Sequence, residues 1–168
     1  MSNGYNEIMN KITAILLVLI VASCHEDNKL GLTSTDNSVL AKRNNVDWAG
    51  TTEIHLNHVT DTLTFMGIAS RPNDEVIVMK IKFNGIGSYS LIKDQGYYYS
   101  TVGGDVLTSE YKLAPNIAGQ LIISKYDPIE KLIEGNFKMS LKKQRSNPPN
   151  NVDIYNFTQG LFKGKIDN

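Results

Sequence analysis

The chain has 168 residues, with 17 basic and 17 acidic side chains, no formal net charge and a single cysteine. That length suits one domain with a real core, and the balanced charge gives no electrostatic footprint for nucleic acid or an anionic membrane. One cysteine cannot form an intramolecular disulfide, so packing and hydrogen bonds must hold the fold.

Residues 9–24, MNKITAILLVLIVASC, have the plan of a secretory signal peptide: basic Lys11, an apolar run over 12–22, then small residues before Cys24. A helix over that run spans about 16 Å, roughly half a bilayer's hydrocarbon thickness, and is too short for a comfortable permanent anchor. Val21-Ala22-Ser23-Cys24 resembles the lipobox of bacterial lipoproteins, in which the chain is cut before the cysteine and the cysteine is lipidated. That resemblance implies residues 1–23 as the removed signal, and palmitate-like acyl chains on Cys24 as the membrane partner. Each buried methylene is worth about 0.8 kcal/mol to such an anchor. Met1 and Met9 are both candidate starts.

Residues 24–37 are polar after the cysteine and read as a flexible tether. His25-Glu26-Asp27 resembles the acidic export signals of surface lipoproteins in the Bacteroidota, and His25 stands where the enterobacterial inner-membrane retention signal has Asp. The implied place is the outer membrane, lipid-anchored, on either the cell-surface or the periplasmic face.

Residues 38–168 read as one all-β domain. A short strand over 39–42 meets a turn at Asn44-Asn45, and Trp48 follows. Residues 51–57 and 62–70 are the next strands, and the turn at 71–74 carries Pro72 and Asn73. Residues 75–84, EVIVMKIKFN, alternate most clearly: Ile77, Met79, Ile81 and Phe83 share one face, Lys80 and Lys82 the other. Asp94-Gln95-Gly96 reads as a hairpin-type break before Tyr97-Tyr98-Tyr99. Strands over 106–113, 119–125 and 131–142 follow, with a closing strand or strand pair over 152–166. Residues 128–132 are a candidate short helix. About nine or ten short strands, with turns every eight to twelve residues and no crossover helices, predict an antiparallel β-sandwich or β-barrel.

The domain also resembles an uncharacterised family of Bacteroidota lipoproteins, a domain of unknown function. The likeness rests on an opening strand followed by Trp48, on Gly87-Ser88-Tyr89-Ser90-Leu91, on residues 119–127 followed by 132–137, and on Phe157-Thr158-Gln159-Gly160-Leu161-Phe162. Asp47 and Glu134 depart from it. The resemblance implies an all-β domain with no established activity, and it transfers no catalytic residue.

Within the strand patterns, Gly135 and Gly160 suggest close backbone approach, with Phe137 and Phe162 filling the core beside them. Trp48 reads as a core plug, with a ligand platform as the alternative. Tyr97 and Tyr99 should share a face and form the best candidate ligand-stacking surface, for a glycan or a peptide. Ordinary cross-strand packing is the plainer reading. Asp61-Thr62-Leu63 resembles the Bacteroidota O-glycosylation site, with Thr62 as acceptor. His55 and His58 would face opposite sides of a strand, so a metal shared between them and Asp61 would need a bulge or turn, and no metal site is expected. Asp74-Glu75 reads as a solvated turn. No cofactor motif, nucleophile elbow or Walker-type loop is present.

The expected function is therefore a non-catalytic binding or envelope-structural module. The alternatives are a hydrolase or hydrolase inhibitor with an unrecognised site, or a calycin-like barrel around an apolar ligand. A polar pocket with a buried carboxylate or His55 would mark the enzyme, and a flat sheet surface the module. A cavity lined by Ile77, Met79 and Phe137 would mark the barrel with an apolar ligand.

Overall fold

The computed structural model describes residues 37–69, 74–117 and 119–167. The signal segment, Cys24, the tether over 24–36 and the turn at 71–73 lie outside the described residues. Ten strands follow in order: β1 (Ser38–Arg43), β2 (Val46–Asn57), β3 (Thr62–Ala69), β4 (Asp74–Lys82), β5 (Gly87–Leu91), β6 (Gly96–Val102), β7 (Val106–Leu113), β8 (Gly119–Asp127), β9 (Leu132–Ser146) and β10 (Ile154–Asp167). The all-β expectation holds, and closure of the sheet into a ring decides for a barrel over a sandwich.

The ring runs β1-β2-β3-β4-β6-β7-β9-β10 and returns to β1. β1 is wedged between β10 and β2 at one end. At the other end β10 meets β2 directly, in parallel, through Ile166 opposite Ile54. β9 carries two partners in series along one edge: β8 beside residues 132–138 and β7 beside residues 141–146. β5 extends the sheet from β8.

Sequence neighbours pair at the tight turns. Asn44 and Asn45, both with positive φ (49° and 66°), close β1 onto β2, as a hairpin turn matched to strand twist requires. The break at residues 94–96 is not a hairpin. Lys93–Gln95 form a single 3-10 turn, and the chain crosses there from β5, paired with β8, to β6, paired with β4 and β7. The candidate helix over 128–132 is instead the β8–β9 turn, in which Asp127 Oδ1 accepts the backbone N–H groups of Ile129 and Glu130 at 2.9 and 3.1 Å. Asn57 builds the β2–β3 turn in the same way through Val59 and Thr60. At the two tips Val59 and Ile129 stand out, 93% and 88% exposed.

Period-two burial fills the barrel. β3 sends Leu63, Phe65 and Ala69 inward, β4 Ile77, Met79 and Ile81, and β9 Ile133, Phe137, Met139 and Leu141. Phe83 is only partly buried and packs edge-on against Tyr126, with centroids 5.1 Å apart. Across β9 and β10, Gly160 is opposite Phe137 and Gly135 opposite Phe162, so each phenyl ring lies over the gap left by a glycine. Phe65 packs on both rings, 4.8 Å from Phe162 and 6.1 Å from Phe137 between centroids. Each such buried aromatic contributes about 1.5–3 kcal/mol of hydrophobic transfer. There is little room left: a methyl group at Gly67 would sit 2.9 Å from Ile77 Cγ1 and 3.1 Å from Val39 Cγ1.

Candidate functional site

The inward faces stay apolar along most of the barrel and turn polar at one mouth. β1 runs Val39, Ala41, then Arg43. β4 begins with Glu75 ahead of Ile77. β6 ends its inward face with Tyr98 and Ser100, β7 opens with Ser109 before Tyr111, and β10 opens with Tyr155 before Phe157. The topology brings these strand ends together where β1 is wedged into the ring.

Glu75 is the centre. It is 8% exposed, not a solvated turn residue, because the inward face of β4 continues one step beyond Ile77. Its Oε2 accepts the indole N–H of Trp48 at 2.6 Å and a guanidinium N–H of Arg43 at 2.7 Å. The same Arg43 nitrogen donates to the Tyr98 phenol oxygen at 3.0 Å. The guanidinium lies over the Tyr155 ring, 5.0 Å from its centroid. Tyr155 stacks on Tyr111 at 4.3 Å, and Tyr111 donates its hydroxyl to Val152 O at 2.9 Å in the β9–β10 loop. Trp48 packs edge-on against Phe157. These contacts tie six strands and one loop into a rigid polar lining, with the buried charge paired and hydrogen-bonded as burial requires.

Above this lining is an open recess of about 340 Å³, within the roughly 300–1,000 Å³ range of small-molecule sites. Glu75, Tyr98 and Tyr155 face it on one side, and the β9–β10 loop with Pro148, Pro149 and Asn150 on another. A third side is a hydroxyl cluster: Ser100 Oγ lies 2.6 Å from Ser109 Oγ and 2.8 Å from Thr108 Oγ1, which donates to Ser100 O. Exposed Val102 stands at the rim.

Burial pushes the Tyr98 phenol well above the usual tyrosine range, reinforced by the Glu75 charge and partly offset by Arg43. Burial by itself would lower the Arg43 value, but its bond to Glu75 and the neighbouring charges leave it raised. For Tyr98 the sign is fixed: the unfolded phenol ionises near pH 10, whereas the folded one resists ionisation. The stability it contributes is therefore complete below about pH 10 and is lost as the pH rises beyond that. Denaturant unfolding at stepped alkaline pH should show a steep decline in the parent protein and a shallower one in Tyr98→Phe.

Of the residues singled out in the sequence, Trp48 belongs to this site, as both core plug and anchor of Glu75. Tyr97 and Tyr99 do not. They share the outer face of β6, half-buried and stacked with centroids 6.3 Å apart, and Lys80 lies 5.8 Å from the Tyr97 ring centroid. Thr62 opens β3 at the far end, its hydroxyl 2.9 Å from that of Thr60. His55 is exposed on β2, and His58 lines a small hollow with Tyr126 and Lys131. Among the described residues no histidine, cysteine and carboxylate set could hold a metal, and no helix is long and apolar enough to cross a membrane.

Arg43, Glu75, Ser100, Ser109 and Tyr155 had a signal in the sequence: each sits two positions from an inward-facing residue, and so continues a core face with a polar side chain. No family model, curated protein or solved structure matches the chain.

Proposed function

We propose that this is an exported, lipid-tethered binding module that captures its ligand in the recess around Glu75. The observation that carries the reading is positional. The described chain begins at Asn37, whose side chain accepts the backbone N–H of Lys165, whereas the recess is bordered by Tyr155. The recess lies at the other end of β1, where Arg43 reaches Tyr155, about 20 Å along the strand from Asn37. A tether from Cys24 would therefore join the barrel at the end away from the recess, which leaves that mouth clear of the attachment point. The likeness to Bacteroidota lipoproteins of unknown function belongs to the same proposal.

A recess with a buried carboxylate is also the feature that would mark a hydrolase. The chemistry around Glu75 favours binding. Its Oε2 is already an acceptor for Trp48 and Arg43, and among the described residues no second carboxylate or imidazole lines the recess. Acid–base or nucleophilic hydrolysis with paired groups lacks its second member. Turnover of chromogenic esters or glycosides by the parent protein, lost in Glu75→Gln, would establish the enzyme instead. An apolar ligand inside the barrel is disfavoured, since Ile77, Met79 and Phe137 are packed against neighbours.

The anchor is tested by growing cells with an alkyne fatty acid. Label is expected on the parent protein and not on Cys24→Ala, with the parent in the outer-membrane fraction. An unlabelled parent overturns the tether. Protease shaving of intact cells then distinguishes the outer from the periplasmic face.

A further inference from the structure

We propose that the recess takes the end of a neutral carbohydrate, an assignment that rests on the recess being the binding element. Three observations converge on this ligand class. The first is charge. The Glu75 carboxylate is compensated by Arg43 at 2.7 Å, and that guanidinium is covered by Tyr155. The recess therefore offers no unbalanced charge to attract an amine or a phosphate, and a charged ligand would leave its own charge unpaired on entry.

The second is the hydroxyl cluster. Ser100 Oγ lies 2.6 Å from the Ser109 hydroxyl and 2.8 Å from that of Thr108, and each hydroxyl can turn between donating and accepting. Sugar hydroxyls have the same dual character, so such a ligand can join the cluster without stranding a buried polar atom. The Asn150 side chain, fixed by Tyr111 at 3.2 Å and by the Val152 N–H at 3.1 Å, adds an amide on the opposite side.

The third is shape. Tyr98 and Tyr155 border the space, but Tyr98 is buried and Tyr155 is stacked on Tyr111 with the Arg43 guanidinium over its ring, so they wall the recess rather than offer a free face for stacking. The volume of about 340 Å³ lies at the small end of the usual range. It suits a terminal sugar unit rather than a long chain laid along a groove.

The test uses the full-length protein purified in detergent. The probes are methyl glycosides of glucose, galactose, mannose and N-acetylglucosamine, with glucuronate and glucosamine as charged counterparts. Saturation-transfer NMR reads binding. At least one neutral glycoside is expected to bind, with little dependence on salt, and more tightly than either charged sugar. Thr108→Val, which keeps the side-chain shape, should weaken that binding about tenfold, one good hydrogen bond's worth. Ser109→Ala serves as a second variant should the first fail to fold, and Trp48 fluorescence reports folding in each.

If a folded protein binds a charged sugar more tightly than every neutral one, or loses binding steeply with salt, the neutral class is wrong while the recess stands as a binding element. If lysine ethyl ester, acetate and all the sugars fail to bind, both the class and the recess reading fall. Binding untouched by Thr108→Val and Ser109→Ala places the sugar elsewhere and overturns the assignment.

Discussion

Glu75→Ala is expected to lower the unfolding free energy by about 3 kcal/mol, the low end of what breaking a buried ion pair costs. The low end applies because the Arg43 side chain keeps 23% of its accessible surface. The loss has two sources. Arg43 is left as a half-buried cation without its carboxylate, and the Trp48 indole N–H loses its acceptor in the core. Glu75→Gln keeps an acceptor oxygen and should cost less. Arg43→Met in the Glu75→Ala background should cost much less than Arg43→Met alone, since the partner has already gone. A coupling of about 1–3 kcal/mol in that cycle, measured by urea unfolding, would establish the pair as one unit. Additive losses would show that each residue acts through separate packing. Trp48 fluorescence gives a local readout, because its indole nitrogen touches the substituted side chain.

Gly160→Ala is expected to cost about 3 kcal/mol, at the upper end of ordinary overpacking. A methyl group there would lie 2.6 Å from Cδ1 and Cε1 of the Phe137 ring. All of the nearest obstacles belong to that one ring, so Phe137→Leu should partly rescue the variant. Gly135→Ala makes a control of opposite kind. Its methyl group would meet the Ile122 carbonyl oxygen, which is backbone, as well as the Phe162 ring. Phe162→Leu should therefore fail to rescue it. Thermal unfolding of the four single and two double variants checks both statements. Equal rescue at the two positions would mean that the glycines serve backbone conformation rather than the ring–glycine fit.

The fold was legible from the sequence because the barrel is built from alternation. Ile77, Met79 and Ile81 on β4, and Ile133, Phe137, Met139 and Leu141 on β9, are apolar at every second position, and that pattern fixes which face is buried. That Gly135 and Gly160 mark close approach, with Phe137 and Phe162 in the core beside them, was legible for the same reason, whereas the crossed partners, Phe162 at Gly135 and Phe137 at Gly160, follow from the β9–β10 register. The crossover at Lys93–Gln95 was not. A turn signal shows that a strand ends, but not which neighbour comes next, and β5 leaves β4 to pair with β8.

The recess was misread where polarity was taken for solvation. Asp74-Glu75 has the composition of a turn, yet Glu75 lies one alternation step before Ile77 and points inward. Its partners, Arg43 and Trp48, come from another hairpin, and no spacing along the chain announces that the three meet. Tyr98 was separable from Tyr97 and Tyr99 by parity alone. Its role beneath the recess depended on knowing which end of β6 reaches the mouth.

The wedging of β1 between β2 and β10 has a consequence for the order of events during synthesis. β1 and β2 can zip together as soon as they emerge, because only Asn44 and Asn45 separate them. The other edge of β1 waits for β10, the last of the ten described strands in chain order, and so does one edge of β9. The ring therefore stays open until β10 arrives, and its closure on β1 spans the longest sequence separation among the ten described strands. A chain cut short by translation failure or clipping before β10 would carry two raw strand edges, ready templates for pairing with another molecule. With β10 in place neither edge is left unpaired, so this strand acts as the latch that separates a closed barrel from an aggregation-prone half-built one.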